Sequence, residues 1–148
     1  MTHATPLPWR ENIAVELIER HAARDGAMLP ILHDIQATFG CVPDAAIPLV
    51  ADRLNLGRAE VAGVVSFYHD FRAEPPGRPV VKLCRAEACQ ARGVEAFAAQ
   101  AEARRDVAVE AIYCLGLCAS GPAAMVGERV FARLDAAAFD RLLDEVSA

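Results

Sequence analysis

Along residues 9–68 the hydrophobic positions recur every three or four residues, which is the spacing of one face of an α-helix. The pattern predicts four short helices with short links: Trp9 to about Arg24, Met28 to Phe39, a third that opens at Pro43 and Asp44, and a fourth after Gly57. The inward-facing positions of the last three helices are, in order, Ile31, Leu32, Ile35 and Phe39, then Ile47, Val50 and Leu54, then Val61, Val64, Val65 and Tyr68. Four such helices form a small bundle.

A stretch rich in proline and glycine, "AEPPGRP" from Ala73 to Pro79, interrupts this pattern. Beyond it the sequence predicts strands over Pro79–Cys84 and Val107–Cys114, followed by a hairpin that turns at Gly127 and Glu128. Helices are predicted from Val94 to about Ala103 and from Ala136 to about Val146. The expected fold class is therefore α+β, with a helical bundle in residues 1–75 and a second domain of strands and helices in residues 79–148.

Composition restricts the classes of function. The 148 residues carry a net charge of -5, and no strongly basic face is visible, so nucleic-acid binding is not expected. No apolar run approaches the roughly eighteen residues needed to cross a bilayer, and the N-terminal residues do not resemble a secretory signal. We therefore expect a cytoplasmic protein without direct membrane insertion. Structural disulfides are rare in that compartment, so the five cysteines need another explanation.

Four of the cysteines form two pairs, and each pair follows a predicted strand. Cys84 and Cys89 are separated by four residues, and Cys114 and Cys118 by three. Loops that leave two strands of one sheet can converge on one site. Four thiolates on irregular backbone suit a metal ion or an iron-sulfur cluster.

The spacing of the cysteines restricts which kinds of metal site they can form. Structural zinc sites usually use C-x2-C pairs, although wider spacings occur, so zinc stays open at this point. Rieske clusters need histidines beside the cysteines, and all four histidines lie in the N-terminal half, at His3, His21, His33 and His69. No C-x-x-C pair of the thioredoxin type is present. Gly116 and Gly121 favour close approach of the backbone to a cofactor.

The cysteine pattern, with "CLGLC" as its second half, resembles the thioredoxin-like [2Fe-2S] ferredoxin family, which includes the 24 kDa subunit of respiratory complex I. The segments "LPILHDIQATFGCVP" and "VAGVVSFYHDF" are similar to the helical segment that precedes the ferredoxin domain in this family. The resemblance implies a thioredoxin-like domain after the bundle and one [2Fe-2S] cluster. Its implied ligands are Cys84, Cys89, Cys114 and Cys118.

Within the family, "LCRAEACQARG" and "IYCLGLCA" are most similar to the gamma subunits of NAD-dependent, molybdenum-containing formate dehydrogenases. This resemblance implies an accessory electron carrier beside an FMN- and NAD-binding subunit, with a molybdenum-containing catalytic subunit in the wider assembly. Subunits of complex I or of NAD-linked hydrogenases are the alternative. The sequence between the cysteine pairs is shorter than in most relatives, and the shortening falls at "ARRDVAV". It affects contacts that this loop would make with a partner, and it does not affect the ligands.

The chain contains neither G-x-G-x-x-G nor a P-loop, so we expect it to bind no nucleotide and to be inactive alone. A zinc-stabilised binding module and a free-standing ferredoxin remain as rival classes. Cys41 lies outside the pattern and is expected in the core. His33 and His69 are expected on helix surfaces at a subunit interface rather than in acid-base catalysis. Cys89 is expected just ahead of a helix whose N-terminal amides would stabilise a reduced cluster.

Overall fold

The structure of the protein is a computed structural model that describes residues 6–148. The chain divides into two compact units, one that ends at Pro76 and one that covers Gly77–Ala148. His3 and the first five residues of the predicted bundle lie outside the described residues. None of the described helices is long and apolar enough to cross a membrane.

The first unit contains four helices: α1 Glu11–His21, α2 Met28–Phe39, α3 Ala46–Leu54 and α4 Arg58–Phe67. Helix α1 packs against α2 and α3, and α3 packs against α4. Helix α2 has the predicted bounds, because Gly40 adopts the left-handed conformation (φ 77°) that ends a helix. The four residues predicted to face inward from α2 are all buried, and they form the centre of the core of this unit.

The inward-facing stripe predicted for α4 is only partly correct. Val61 is fully buried, whereas Val64 and Val65 are half-buried. Tyr68 is 43% exposed, since the backbone becomes extended at this residue and turns its side chain away from the stripe. Phe71 is buried in its place, with its ring packed edge-on against that of Tyr68. Of the three aromatic side chains at positions 67–71, Phe71 is therefore in the core, whereas Phe67 and Tyr68 are exposed.

The second unit combines four strands with three helices, and the predicted α+β class is confirmed. Its elements are β1 Val80–Cys84, α5 Glu87–Ala91, α6 Glu95–Glu102, β2 Ala108–Ile112, β3 Ala124–Val126, β4 Arg129–Phe131 and α7 Ala136–Ser147, with a short 3₁₀ turn at Cys118–Ser120. The sheet has the order β2-β1-β3-β4, in which β1 and β2 are parallel and the remaining pairs are antiparallel. The β3–β4 hairpin turns at Gly127 and Glu128 as predicted.

The parallel pairing of β1 and β2 positions the cysteine loops. Cys84, at the end of β1, lies opposite Ile112, at the end of β2. Both strands therefore end at the same edge of the sheet, and the loops that follow leave it side by side. Strand β2 is shorter than predicted because its last ladder bond, from the Arg85 N–H to the Ile112 carbonyl (2.9 Å), comes two residues before Cys114. Helix α5 and the 3₁₀ turn were not predicted.

Helix α7 begins at an N-cap that can be tested by substitution. The carboxylate of Asp135 accepts a hydrogen bond from the Ala138 N–H at 2.7 Å, and the helix buries Phe139, Leu142 and Leu143. Asp135→Ala should lower the free energy of unfolding of the second unit by about 1 kcal/mol, because one N–H at the helix start loses its acceptor. Chemical denaturation of the full chain, followed by circular dichroism, measures this loss. Asp140→Ala, at an exposed position of the same helix, is the control and should leave stability unchanged or slightly raised. Equal effects of the two substitutions would contradict the cap.

Candidate metal centre

The first cysteine pair is set into the core of the second unit. Cys84 is the last residue of β1 and Cys89 lies inside α5, and both are 2% exposed. The Cys84 N–H donates to the Ala123 carbonyl (2.9 Å) and the Cys89 N–H to the Ala86 carbonyl (2.9 Å). The helix predicted after Cys89 is observed as α6, which begins at Glu95, but Cys89 itself lies in a five-residue helix that begins at Glu87 and was not predicted. Since the Cys89 amide is bonded within its own turn, hydrogen bonds to sulfur must come from elsewhere.

The second pair lies on an exposed loop with unusual backbone geometry. Cys114 has φ 82°, a left-handed value that is rare for residues other than glycine, and Gly116 has φ 75°. The Gly116 N–H donates to the Cys114 sulfur at 3.4 Å, and the sulfurs of Cys114 and Cys118 are 3.6 Å apart. Left-handed residues in a tight loop turn successive amides toward one side, which produces a concave site for negative charge. Strained residues of this kind are concentrated at functional sites.

The second loop also donates hydrogen bonds to the first pair. Backbone N–H groups of Ala86, Cys114 and Leu115 reach the sulfur of Cys84, and so does the thiol of Cys89. Burial acts to raise the pKa of Cys84, but these donors together lower it below the ordinary thiol value. Cys84 is therefore the sulfur that is best prepared to be a thiolate, and two of its backbone donors come from the opposite loop.

The pKa values of Cys89 and Cys118 are raised rather than lowered. Burial raises the pKa of Cys89, and its hydrogen bond to Cys84 raises it further. The hydrogen bond to Cys114 raises the pKa of Cys118, and the negative charges of Cys114 and Cys84 act in the same direction. The neighbouring sulfurs thus disfavour ionisation of Cys89 and of Cys118, and a bound cation would favour the thiolate form of both.

The arrangement fits a pair of tetrahedral metals. Two thiolates bound at about 2.3 Å to one tetrahedral metal lie about 3.8 Å apart, close to the observed separation of Cys114 and Cys118. Within residues 6–148, no three His, Cys, Asp or Glu side chains are arranged to hold a single metal ion. A two-iron cluster makes a different demand, because each iron takes two thiolates. The chain has two pairs of cysteines, which is the number of thiolates that such a cluster requires.

Gly121 leaves space beside the buried pair. A Cβ atom at this position would lie 3.0 Å from the Cys89 sulfur and 3.8 Å from the Cys118 carbonyl oxygen. A Cβ at Gly121 would therefore be in tight contact with the Cys89 sulfur and in ordinary contact with the Cys118 carbonyl. The close approach of Gly121 to a cofactor stays a prediction.

The remaining candidate residues are in the helical unit. Cys41 is buried there, and burial followed by the charge of Glu74 raises its pKa, as suits a core thiol. His33 is exposed and its ring packs on Phe71 at 5.0 Å, so it does not pair with its neighbour Asp34. His69 is also exposed.

Sequence reasoning missed two features of these units. Asp34 bonds to His21 at 2.8 Å, a pair separated by thirteen positions. In the second unit, Arg85 forms ion pairs with Glu95 and Glu102 of α6, which tie the residue after Cys84 to a neighbouring helix. No local pattern signals either pair, since the partners are brought together only by the tertiary fold.

Comparison with known proteins shows which family the whole chain is similar to. Residues 14–147 match the thioredoxin-like [2Fe-2S] ferredoxin family. The HndA subunit of the NADP-reducing hydrogenase of Solidesulfovibrio fructosivorans is 30% identical, with 88% of this chain and 83% of that subunit covered. One subunit of the NADH-quinone oxidoreductase of Escherichia coli K12 is 31% identical, with 97% of this chain and 93% of that subunit covered.

Solved structures show the same similarity. A chain of an NAD⁺-reducing [NiFe]-hydrogenase in its H₂-reduced state superposes with a TM-score of 0.66 at 27% identity over 80% of this chain. In the air-oxidised state the TM-score is 0.67. The match covers 22% of the hydrogenase chain, so the protein corresponds to about a fifth of that larger polypeptide.

The contact between Gly121 and Cys89 generates a test. Gly121→Ala should reduce the iron bound per purified chain several-fold, because the new methyl group meets the Cys89 sulfur at 3.0 Å. Iron analysis measures occupancy, and circular dichroism checks that the fold is retained. Gly77→Ala is the matched control, since a Cβ there meets nothing within 4 Å. Full iron content in Gly121→Ala would show that this close approach is not needed.

Proposed function

The chain belongs to the thioredoxin-like [2Fe-2S] ferredoxin family, and from this premise we propose that it is the electron-transfer subunit of a cytoplasmic NAD-linked oxidoreductase complex. Its cofactor is a [2Fe-2S] cluster. The observation that carries the proposal is the convergence of two cysteine pairs at one sheet edge, with backbone donors from one loop directed at a sulfur of the other.

In the proposed ligand set, Cys84 and Cys89 hold one iron and Cys114 and Cys118 the other. When bound, the cluster takes up and releases one electron at a time. The amides of Ala86, Cys114 and Leu115 donate to Cys84 and stabilise the negative charge that accumulates on the ligands.

The two pairs are proposed to face different surroundings. Cys84 and Cys89 lie in the core, and the half-buried Leu115 and Leu117 pack against that core and exclude water. Cys114 and Cys118 are exposed. This asymmetry retains the cluster on one side and gives a redox partner access on the other.

The partner assignment rests on the relatives and on local similarity. HndA and the Escherichia coli relative are, by their names, subunits of pyridine-nucleotide-linked complexes. The segments "LCRAEACQARG" and "IYCLGLCA" favour NAD-dependent formate dehydrogenase as the complex, with an FMN- and NAD-binding subunit as the neighbour and a molybdenum-containing subunit beyond it. A subunit of complex I or of a hydrogenase is the second candidate, favoured by the relatives themselves.

The two domains have separate proposed roles. Residues 79–148 carry the cluster, and residues 1–75 serve assembly. Phe67 is 74% exposed at the end of α4 and Tyr68 follows it at 43%, so the helical unit carries large apolar side chains on its surface. Exposed aromatic residues of this kind are enriched at protein interfaces.

The ligand assignment predicts different results for the five cysteines. Alanine at Cys84, Cys89, Cys114 or Cys118 should each remove most of the bound iron and sulfide, because one missing thiolate leaves an iron incompletely coordinated. Cys41→Ala is the matched control and should keep about two irons per chain. The measurement is iron and sulfide analysis of anaerobically purified protein. Loss in Cys41→Ala with retention in Cys118→Ala would overturn the assignment, and zinc in place of iron in the wild-type chain would replace the cluster with a structural zinc site.

The partner proposal predicts which proteins copurify with the chain. A tagged chain, isolated gently from its native host, should bring a flavin subunit and a molybdenum subunit and should support formate-dependent reduction of NAD. The chain alone should show no such activity, because no nucleotide-binding motif is present in its sequence. Copurification with a quinone-reducing assembly or with a hydrogenase, or recovery as a lone monomer, would contradict the formate assignment.

A further inference from the structure

Arg92 lies beside the buried half of the site. It follows α5, and its N–H donates to the Cys89 carbonyl at 3.2 Å. Its Cδ atom is 3.5 Å from the point where a Cβ on Gly121 would stand, and the Cys89 sulfur is 3.0 Å from that same point. The aliphatic stem of Arg92 therefore passes next to Gly121 on the side where the Cys89 sulfur is found.

Arg92 differs from Arg85 and Arg104 of the same unit, because its charge is not neutralised by a carboxylate. Arg85, which follows Cys84, pairs with two carboxylates of α6, and Arg104 pairs with Asp106 and Asp144. Within the part of the chain that the structure describes, the guanidinium of Arg92 has neither an ion pair nor a hydrogen bond, and the residue is exposed. No side chain of the described residues therefore neutralises its positive charge.

We propose that Arg92 raises the reduction potential of the [2Fe-2S] cluster by placing an unneutralised positive charge near Cys89. This inference rests on the proposed ligand set. Reduction adds one negative charge to a centre already surrounded by four thiolates, and a nearby cation stabilises the more negative state. Cys89 is buried whereas Arg92 is exposed, so the attraction between the cation and the reduced cluster is screened in part by water and by salt. Arg92 is a tuning residue in this role and is not a ligand.

The test is a redox titration of the purified full-length chain with its cluster, followed by visible absorption and by EPR. Arg92→Gln should shift the midpoint potential to a more negative value with the cluster content unchanged. Arg92→Lys should restore the wild-type potential in large part, because it keeps the charge and most of the stem. Arg141→Gln is the control with the same change of charge at an exposed position of α7, and it should leave the potential where it is.

The dependence of the midpoint potential on salt concentration is a second measurement, and a purely structural role of Arg92 would not affect it. The Debye length falls from about 10 Å at 0.1 M salt to about 3 Å at 1 M salt. The difference in potential between the wild-type chain and Arg92→Gln should therefore shrink as salt is added. The difference between the wild-type chain and Arg141→Gln should stay near zero throughout.

The outcomes separate this inference from the proposed function. An intact cluster in Arg92→Gln with an unchanged potential would overturn the role of Arg92 and leave the ligand assignment standing. Absence of any iron-sulfur cluster in the wild-type chain would instead refute the proposed function. Arg92→Met is a second neutral variant, and it keeps an aliphatic side chain next to Gly121. It shows the effect of the lost charge even if Arg92→Gln disturbs the packing there. Loss of the cluster in both neutral variants, with retention in Arg92→Lys, would show a structural role and would also overturn the proposal.

Discussion

The parallel pairing of β1 and β2 is the constraint on which the site depends. This register ends both strands at the same edge of the sheet, with Cys84 directly opposite Ile112. A shift by one residue would turn every side chain of the strand to the other face and would move the two cysteine loops apart. The strands are held in place by the apolar residues of the core, among them Val81 and Leu83, which are almost completely buried. Core packing therefore fixes the positions of Cys84 and Cys89, and the strand register fixes where the loop that carries Cys114 and Cys118 begins.

The loops contribute what the sheet cannot provide. The left-handed backbone at Cys114 and Gly116 directs an amide toward sulfur, and amides of the second loop also donate to Cys84 of the first pair. The cost of a left-handed cysteine, of the order of 1 kcal/mol, is local. The gain is that these N–H groups lower the pKa of Cys84 and so favour its thiolate. The site thus depends on backbone geometry as much as on the four side chains.

Local patterns allowed much of the fold to be predicted from the sequence. The predictions of helix α2 and of the β3–β4 hairpin were correct because a glycine with positive φ marks each of them. Gly40 ends the helix, and Gly127 lies in the turn of the hairpin. The α+β class followed from the change of period after the proline-rich stretch. Helix α5 was missed because five residues are too few to show a helical period. Strand β2 was predicted too long because alternation of apolar residues continues after the ladder has ended.

For the site, the sequence indicated which cysteines pair but not how they are held. The backbone donors to Cys84 and the proximity of Arg92 to Gly121 arise from contacts between loops that are distant in sequence, and no short pattern encodes them. Similarity to relatives supplied the cofactor, and the structure added the physical reasons for its fit.

The central claim is that two pairs of cysteines each bind one iron of a sulfide-bridged pair. X-ray absorption at the iron edge, measured on the anaerobically purified full-length chain, tests it most directly. The account predicts sulfur as the only atom type bound to iron, together with one iron neighbour at the short distance typical of a sulfide-bridged pair. A spectrum with no iron neighbour, or with nitrogen or oxygen bound to iron, would contradict it.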